Sequence, residues 1–227
     1  MTTLRIGLIV FDLDGTLVDT RHDIAACLNE ALLLHDLPTH AVAAITRHVG
    51  HGAHAMVAGV TGVPPTSARC ADITACFLAR YARNPLRYAT PMPGVPDILA
   101  SLDVPLAVCT NKTAPLAEAV LAGLGLRASF GQVVACGDDE RKKPDPAPLR
   151  ALARREGVAP GECVMVGDGP QDVLCALGAG AIAVGLASGF HGVDTLRTAG
   201  ATHLIETLWS LPSLLRSLDR SAARRAR

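Results

Sequence analysis

The order of apolar and polar positions divides the chain into an alternating part and an all-helical part. Ile6 to Val10 is a short, β-branched run bounded by turn residues, which predicts a buried parallel strand. Asp23 to Leu34 then repeats apolar residues at helical spacing (Ile24, Ala25, Leu28, Ala31, Leu32) before Pro38-Thr39 breaks the pattern. From about 40 to 83 the pattern stays helical, in pieces cut by Gly50, Gly52, Gly62 and Pro64-Pro65. No convincing strand lies between Asp19 and Tyr88. The run from Pro91 to Pro96 is strong punctuation. Beyond it the spacing predicts helices over 95–102, 114–123, 146–156 and 171–179. Between them it predicts strands over 104–109, 132–135, 162–166 and 181–186, with an edge strand near 202–205.

Strands that alternate with helices imply a parallel sheet covered on both faces by right-handed crossovers. The expected fold is therefore α/β, a Rossmann-like parallel-sheet core with an inserted small α-helical cap. The expected division gives 1–18 plus 89–227 to the core, 19–88 to the cap and 218–227 to a disordered tail.

Composition narrows the function classes. Of 227 residues 49% are hydrophobic and only four are Phe, so the core is expected to consist of Val, Leu, Ile and Ala. Net charge is zero and aromatics make up 3%, which leaves neither a basic stripe nor stacking platforms for nucleic acid. The arginines at 216, 220, 224, 225 and 227 read as a solvated tail. Seven scattered cysteines argue against a disulfide framework or a zinc site, and Cys109, Cys163 and Cys175 lie in apolar runs as small core residues. No run is long enough to span a bilayer, and no charged region leads into an apolar core and cleavage site. The expectation is a cytoplasmic monomer or homodimer without nucleic-acid or membrane partners.

Chemistry enters where the first strand ends. Asp12 and Asp14 follow it in Phe11-Asp12-Leu13-Asp14-Gly15-Thr16, at the carboxyl end where open α/β sheets bind ligands. Burying two acids so close together costs free energy unless a cation or protons offset it. A lone Asp-Gly is commonly a turn or helix cap. Val164-Met165-Val166-Gly167-Asp168 is a second buried strand that ends in an acid, with Asp172 four residues on and on the same helix face. Lysine is rare, three against eighteen arginines, and Lys112, Lys142 and Lys143 all fall near such junctions.

Asp-x-Asp-Gly-Thr after a hydrophobic strand resembles the first motif of the haloacid dehalogenase superfamily of phosphohydrolases. Val49-Gly50-His51-Gly52-Ala53, Thr110-Asn111-Lys112, Lys143-Pro144-Asp145-Pro146-Ala147-Pro148 and Gly167-Asp168-Gly169-Pro170-Gln171-Asp172 follow in order. They resemble the phosphoglycolate phosphatase branch in particular, over roughly residues 5 to 215. The resemblance implies a phosphomonoester hydrolase acting through an aspartyl-phosphate on a small phosphorylated metabolite, with 2-phosphoglycolate first. It makes Asp12 both the nucleophile and a Mg2+ ligand, and the backbone carbonyl of Asp14 a further Mg2+ ligand. Asp14 then protonates the leaving alkoxide and later takes a proton from water. Gly15, Thr16 and Asn111 are expected to bind substrate, and Thr110 and Lys143 to hold phosphoryl oxygens. Hard oxygen ligands suit Mg2+, with Asp168 as a direct ligand and Asp172 at the metal or orienting a water or Lys143. Arg47, His48 and His51 form a polar patch where the branch has its specificity loop, suited to a carboxylate.

Other readings stand beside this one. Asp14 favours a phosphatase over a dehalogenase, since departure of halide needs no acid. The cap contains no lysine over 20–88, which weakens a Schiff-base phosphonatase and a sugar-phosphate mutase. A phosphatase for another sugar phosphate or nucleotide remains, as does a non-catalytic phosphate-responsive module.

Overall fold

Leu8, Ile9, Val10 and Phe11 are all fully buried and form β1 (Leu8–Phe11), the strand around which the computed structural model is arranged. The structure describes residues 6–137 and 141–225, the side chains of 220–225 aside. Parallel neighbours flank β1 on both sides: β4 (Leu106–Thr110) and β6 (Cys163–Gly167). Outside them lie β5 (Gln132–Ala135) on one edge and β7 (Ile182–Leu186) then β8 (His203–Ile205) on the other. All pairs are parallel, in the order β5-β4-β1-β6-β7-β8. The chain leaves β1 toward one side and returns on the other, so β1 and its neighbours frame the switch point at which such sheets open a crevice.

Strands buried on both faces need apolar residues at every position, and these have them. Ile9 and Phe11 pack on one face with Val108, Val164 and Val166, beneath α5 (Val95–Ala100), α6 (Ala114–Gly123) and α10 (Leu211–Arg225). Leu8 and Val10 pack on the other with Ala107, Cys163 and Met165, beneath α7 (Ala147–Glu156), α8 (Pro170–Ala179) and α9 (Val193–Thr198). Cys109, Cys163 and Cys175 are buried and free, as the apolar context predicted.

The helical stretch forms α1 (Arg21–Leu34), α2 (Val42–Thr46), α3 (Ala53–Thr61) and α4 (Ala68–Arg83). They share a third apolar cluster (Ile24, Leu28, Leu32, Ile45, Val57, Ile73, Phe77, Tyr81) that α6 joins through Leu116. The chain enters and leaves this unit through two paired strands, β2 (Val18–Asp19) and β3 (Thr90–Pro91). Buried Asp23 ties the two crossings together by accepting Tyr88 N–H at 3.1 Å.

Predicted strands and helices appear in the expected order, with ends shifted by a residue or two. Helices α9 and α10 were not predicted. Leu211, Leu214, Leu215 and Leu218 recur at helical spacing, and Leu211 and Leu215 are buried in the core. That face carries the helix through Arg225, so the tail expected to be disordered over 218–227 is helical up to there. Residues 226 and 227 lie outside the described residues.

Candidate active site

The register of the sheet brings the motifs to one level. Phe11 pairs with Val108 on one side and Val166 on the other, so the residues just beyond each strand emerge side by side. Asp12 N–H still bonds Val166 O at 2.9 Å, which holds its side chain at the mouth of the crevice. Asp168 and Asp172 come from the β6–α8 junction. One carboxylate oxygen from each of Asp12, Asp168 and Asp172 lies within 4.8 Å of the others, and all three residues are buried.

Lys143 completes the cluster. Its side chain is fully buried, with Nζ 2.8 Å from Asp12 Oδ1 and 2.6 Å from Asp172 Oδ1, and it donates to Cys109 O at 2.7 Å. A cis peptide joins it to Pro144. Asp172 Oδ2 accepts Gly169 N–H at 3.0 Å, so both of its oxygens have protein partners. Asp168 accepts the Thr16 hydroxyl at 2.9 Å and Phe190 N–H at 2.7 Å, with His191 Nδ1 at 3.6 Å. Gly15 adopts φ +83°, and a Cβ there would lie 2.5 Å from Asp168 Oδ2, so no larger residue fits that turn.

Charge in this cluster is not balanced. Burial, with Asp172 adding repulsion, pushes the Asp12 carboxyl up to about 6 despite Lys143. Burial also raises Asp172, with Asp168 acting in the same direction against Lys143. Burial works to lower Lys143, but Asp12 and Asp172 lift it well above the usual lysine range. Three buried carboxylates meet here and the one ammonium pairs with only two of them, while all their donors are hard oxygens; a divalent cation fits that set.

The Asp14 carboxylate stands apart from the three. It accepts Lys112 Nζ at 2.8 Å and 2.9 Å on its two oxygens, and the Thr20 hydroxyl at 2.6 Å. Lys112 Nζ also donates to Tyr81 OH at 3.2 Å and sits 4.7 Å from that ring's centroid. Burial, helped by the nearby Asp14 and opposed by Lys112, pushes the Tyr81 hydroxyl up to about 12, so it stays protonated.

Several assignments change once geometry is available. Asn111 donates to Gly50 O and Lys143 O, both at 2.8 Å, and accepts Lys143 N–H at 3.0 Å. Both N–H groups of its side-chain amide are committed to clasping the Lys143 loop to the helical unit, and the residue lines the cleft. The Thr16 hydroxyl likewise goes to Asp168 instead of substrate. The cleft between core and helical unit is lined by Asp12, Asp14, Thr110 and Lys112 from the core, and by Val49, Gly50, Met56, Phe77 and Tyr81 among others from the helices. Arg47, His48 and His51 do not line it. Arg47 and His51 are exposed, and His48 packs against Gly59. They lie in the turn between α2 and α3, outside the cleft lining. Lys112, Tyr81, Thr20 and the Phe190-His191 turn had no assigned role in the sequence. Only Lys112 left a signal there, as one of three lysines.

A crevice at the switch point that unites an Asp-x-Asp turn, a buried lysine and a second acidic strand end defines an α/β hydrolase built on carboxylate chemistry. A family model for haloacid dehalogenase-like hydrolases matches residues 6–180, and the chain belongs to that family. It is 41% identical over 213 residues to the phosphoglycolate phosphatase of Rhodospirillum rubrum, covering 89% of this chain and 88% of that protein. An N-acetylmuramic acid 6-phosphate phosphatase of Pseudomonas aeruginosa is 30% identical over 211 residues, 91% of this chain and 93% of the relative. A crystal structure described as a predicted phosphoglycolate phosphatase from Haemophilus somnus superposes with a TM-score of 0.85 at 26% identity, covering 94% and 99% of the two chains. The protein is an enzyme of this hydrolase family, and its relatives place it among the phosphatases.

Proposed function

We propose that the protein is a Mg2+-dependent phosphomonoesterase whose substrate is 2-phosphoglycolate. The observation that carries this reading is the meeting of Asp12, Asp168 and Asp172 around Lys143 at one strand end. The name of the Rhodospirillum rubrum relative supports the substrate.

Asp12 is the nucleophile. Leu13 N–H and Lys143 both occupy Oδ1, which leaves Oδ2 to attack phosphorus. A P–O bond forms to Asp12 as the ester P–O bond breaks, and Asp14 delivers a proton to the departing alkoxide oxygen. Water then attacks the aspartyl-phosphate, Asp14 takes its proton, and phosphate leaves with Asp12 restored. The Thr110 hydroxyl holds a phosphoryl oxygen, and so does Lys143 once the incoming phosphoryl group replaces one of its three present acceptors. Asp12, Asp168 and the Asp14 carbonyl would hold Mg2+, and Asp172 orients Lys143. When bound, the ion supplies the positive charge that lets an anionic nucleophile approach an anionic ester. The helical unit over 19–88 acts as a cap that excludes water from the cleft.

A panel of phosphate esters with Mg2+ tests the reading: 2-phosphoglycolate, N-acetylmuramic acid 6-phosphate and a chromogenic aryl phosphate. 2-Phosphoglycolate is expected to show the highest kcat/KM. If it ranks no better than the aryl phosphate, the substrate assignment is wrong.

A further inference from the structure

The cleft has a chemical asymmetry. Apart from Asp12 and Asp14, its only charged lining residue among those described is Lys112. Apart from the Tyr81 hydroxyl the helical side is apolar or small: Ile24, Val49, Gly50, Met56, Phe77 and Leu78 among others. No arginine or histidine of the helical unit reaches it. The phosphoryl group belongs at the Asp12 and Lys143 end, so the alcohol half of the ester must lie between Asp14 and these helices, beside Lys112.

A buried ammonium needs anionic or dipolar partners, and Lys112 has two. Asp14 holds it from the core and Tyr81 holds it from α4, the longest helix of the unit that closes the cleft. Its side chain is only 4% exposed, so an anion that reaches it meets little competing water. Neighbouring Phe77, Met56 and Leu116 leave a bulky polar group unpaired, which favours a short leaving group with a single charge at its end.

We infer that Lys112, positioned by Tyr81, is the specificity-determining residue of the site and receives a carboxylate on the leaving group of the substrate. This rests on the phosphomonoesterase reading above and deepens it: the favoured substrates are phosphate esters of short hydroxy acids. The carboxylate is recognised from the turn that follows the strand ending in Thr110, and not by Arg47, His48 and His51, which do not line the cleft.

The test compares 2-phosphoglycolate with 2-hydroxyethyl phosphate, which replaces the carboxylate by a hydroxymethyl group of similar size. The wild-type enzyme is expected to favour the carboxylate by about 30-fold or more in kcat/KM, the range for losing a charge-assisted hydrogen bond in a dry site. K112M is expected to slow both esters, since Asp14 loses its partner, but to cut the preference to about threefold or less, mainly by raising KM for 2-phosphoglycolate. K112R, which keeps the charge, is expected to retain most of the preference and shows that the site tolerates substitution. A K112M enzyme that still favours 2-phosphoglycolate as strongly as wild type overturns the role of Lys112 while leaving the phosphatase reading intact. A wild-type enzyme that does not discriminate between the two esters overturns the substrate reading and this inference together. Absence of wild-type turnover on these two esters and also on N-acetylmuramic acid 6-phosphate and the aryl phosphate overturns the phosphomonoesterase reading itself.

Discussion

At the scale of single residues, the buried acids oppose stability and serve chemistry. Asp12 has an ordinary value of 3.8 and stands at about 6 in the fold, so the folded state keeps a proton that the unfolded chain has already released. Folding therefore binds protons between those values, and this group makes the metal-free protein less stable as pH rises through that window. The rise corresponds to on the order of 2–3 kcal/mol. D12N is expected to abolish turnover, by about a thousandfold or more, while raising the Tm of the metal-free protein at pH 7. The difference in Tm between D12N and wild type should shrink when the same comparison is made near pH 4; a constant difference would count against the burial of a charged Asp12. Lys143 is the converse case. K143M removes the one ammonium shared by two carboxylates and is expected to destabilise by about 3 kcal/mol or more, read by denaturant unfolding.

At the scale of elements, each functional side chain is delivered by a strand end or by the turn after it. Gly15 shows how tightly one such turn is drawn. G15A is expected to cost activity about tenfold or more and to lower Tm, because its Cβ would displace the Asp168 carboxylate and the backbone holds φ +83°. Helix α10 is the opposite kind of element, remote from the site but part of the core. L215A in α10 is expected to destabilise by about 2–4 kcal/mol with KM for substrate little changed. The elements around the site were legible in the sequence because continuous apolar runs such as Cys163–Gly167 leave little choice but a buried strand. Helix α10 was not, since its arginines dominate the composition while only one face of leucines packs. The two-residue strands β2 and β3 carry no periodicity at all, and exist because two crossings of the chain happen to run side by side.

At the scale of the whole molecule, one core and one helical unit meet across a cleft, and the proposed Mg2+ would link site to stability. A ligand that binds only the folded state raises Tm with its concentration. Mg2+ is expected to raise the Tm of wild type by a few degrees at millimolar concentration, and to do so much less in D168N. Equal shifts in both proteins would remove the metal from the three-aspartate cluster. Asn111 belongs to this scale too, since its amide joins the Lys143 loop to Gly50 of the helical unit. N111A should speed hydrogen exchange in α3 relative to β1 if that clasp limits opening of the cleft.

Local chemistry determined a great deal. Short apolar runs ending in Asp12, Thr110 and Asp168 specify parallel strands whose carboxyl ends carry reactive groups, because only buried strands need such runs and only a crevice has use for such ends. The rare lysine beside Pro144 was visible for the same reason. Tertiary structure decided how those groups are shared out. Groups separated by 98 or 61 residues become partners, as the Lys112 and Asp14 side chains do, or the Asn111 amide and the Gly50 carbonyl, and no spacing along a chain encodes which donor reaches which acceptor. It also kept Arg47, His48 and His51 out of the cleft lining and put Lys112 in it, since where a turn points its side chains depends on what the flanking elements pack against.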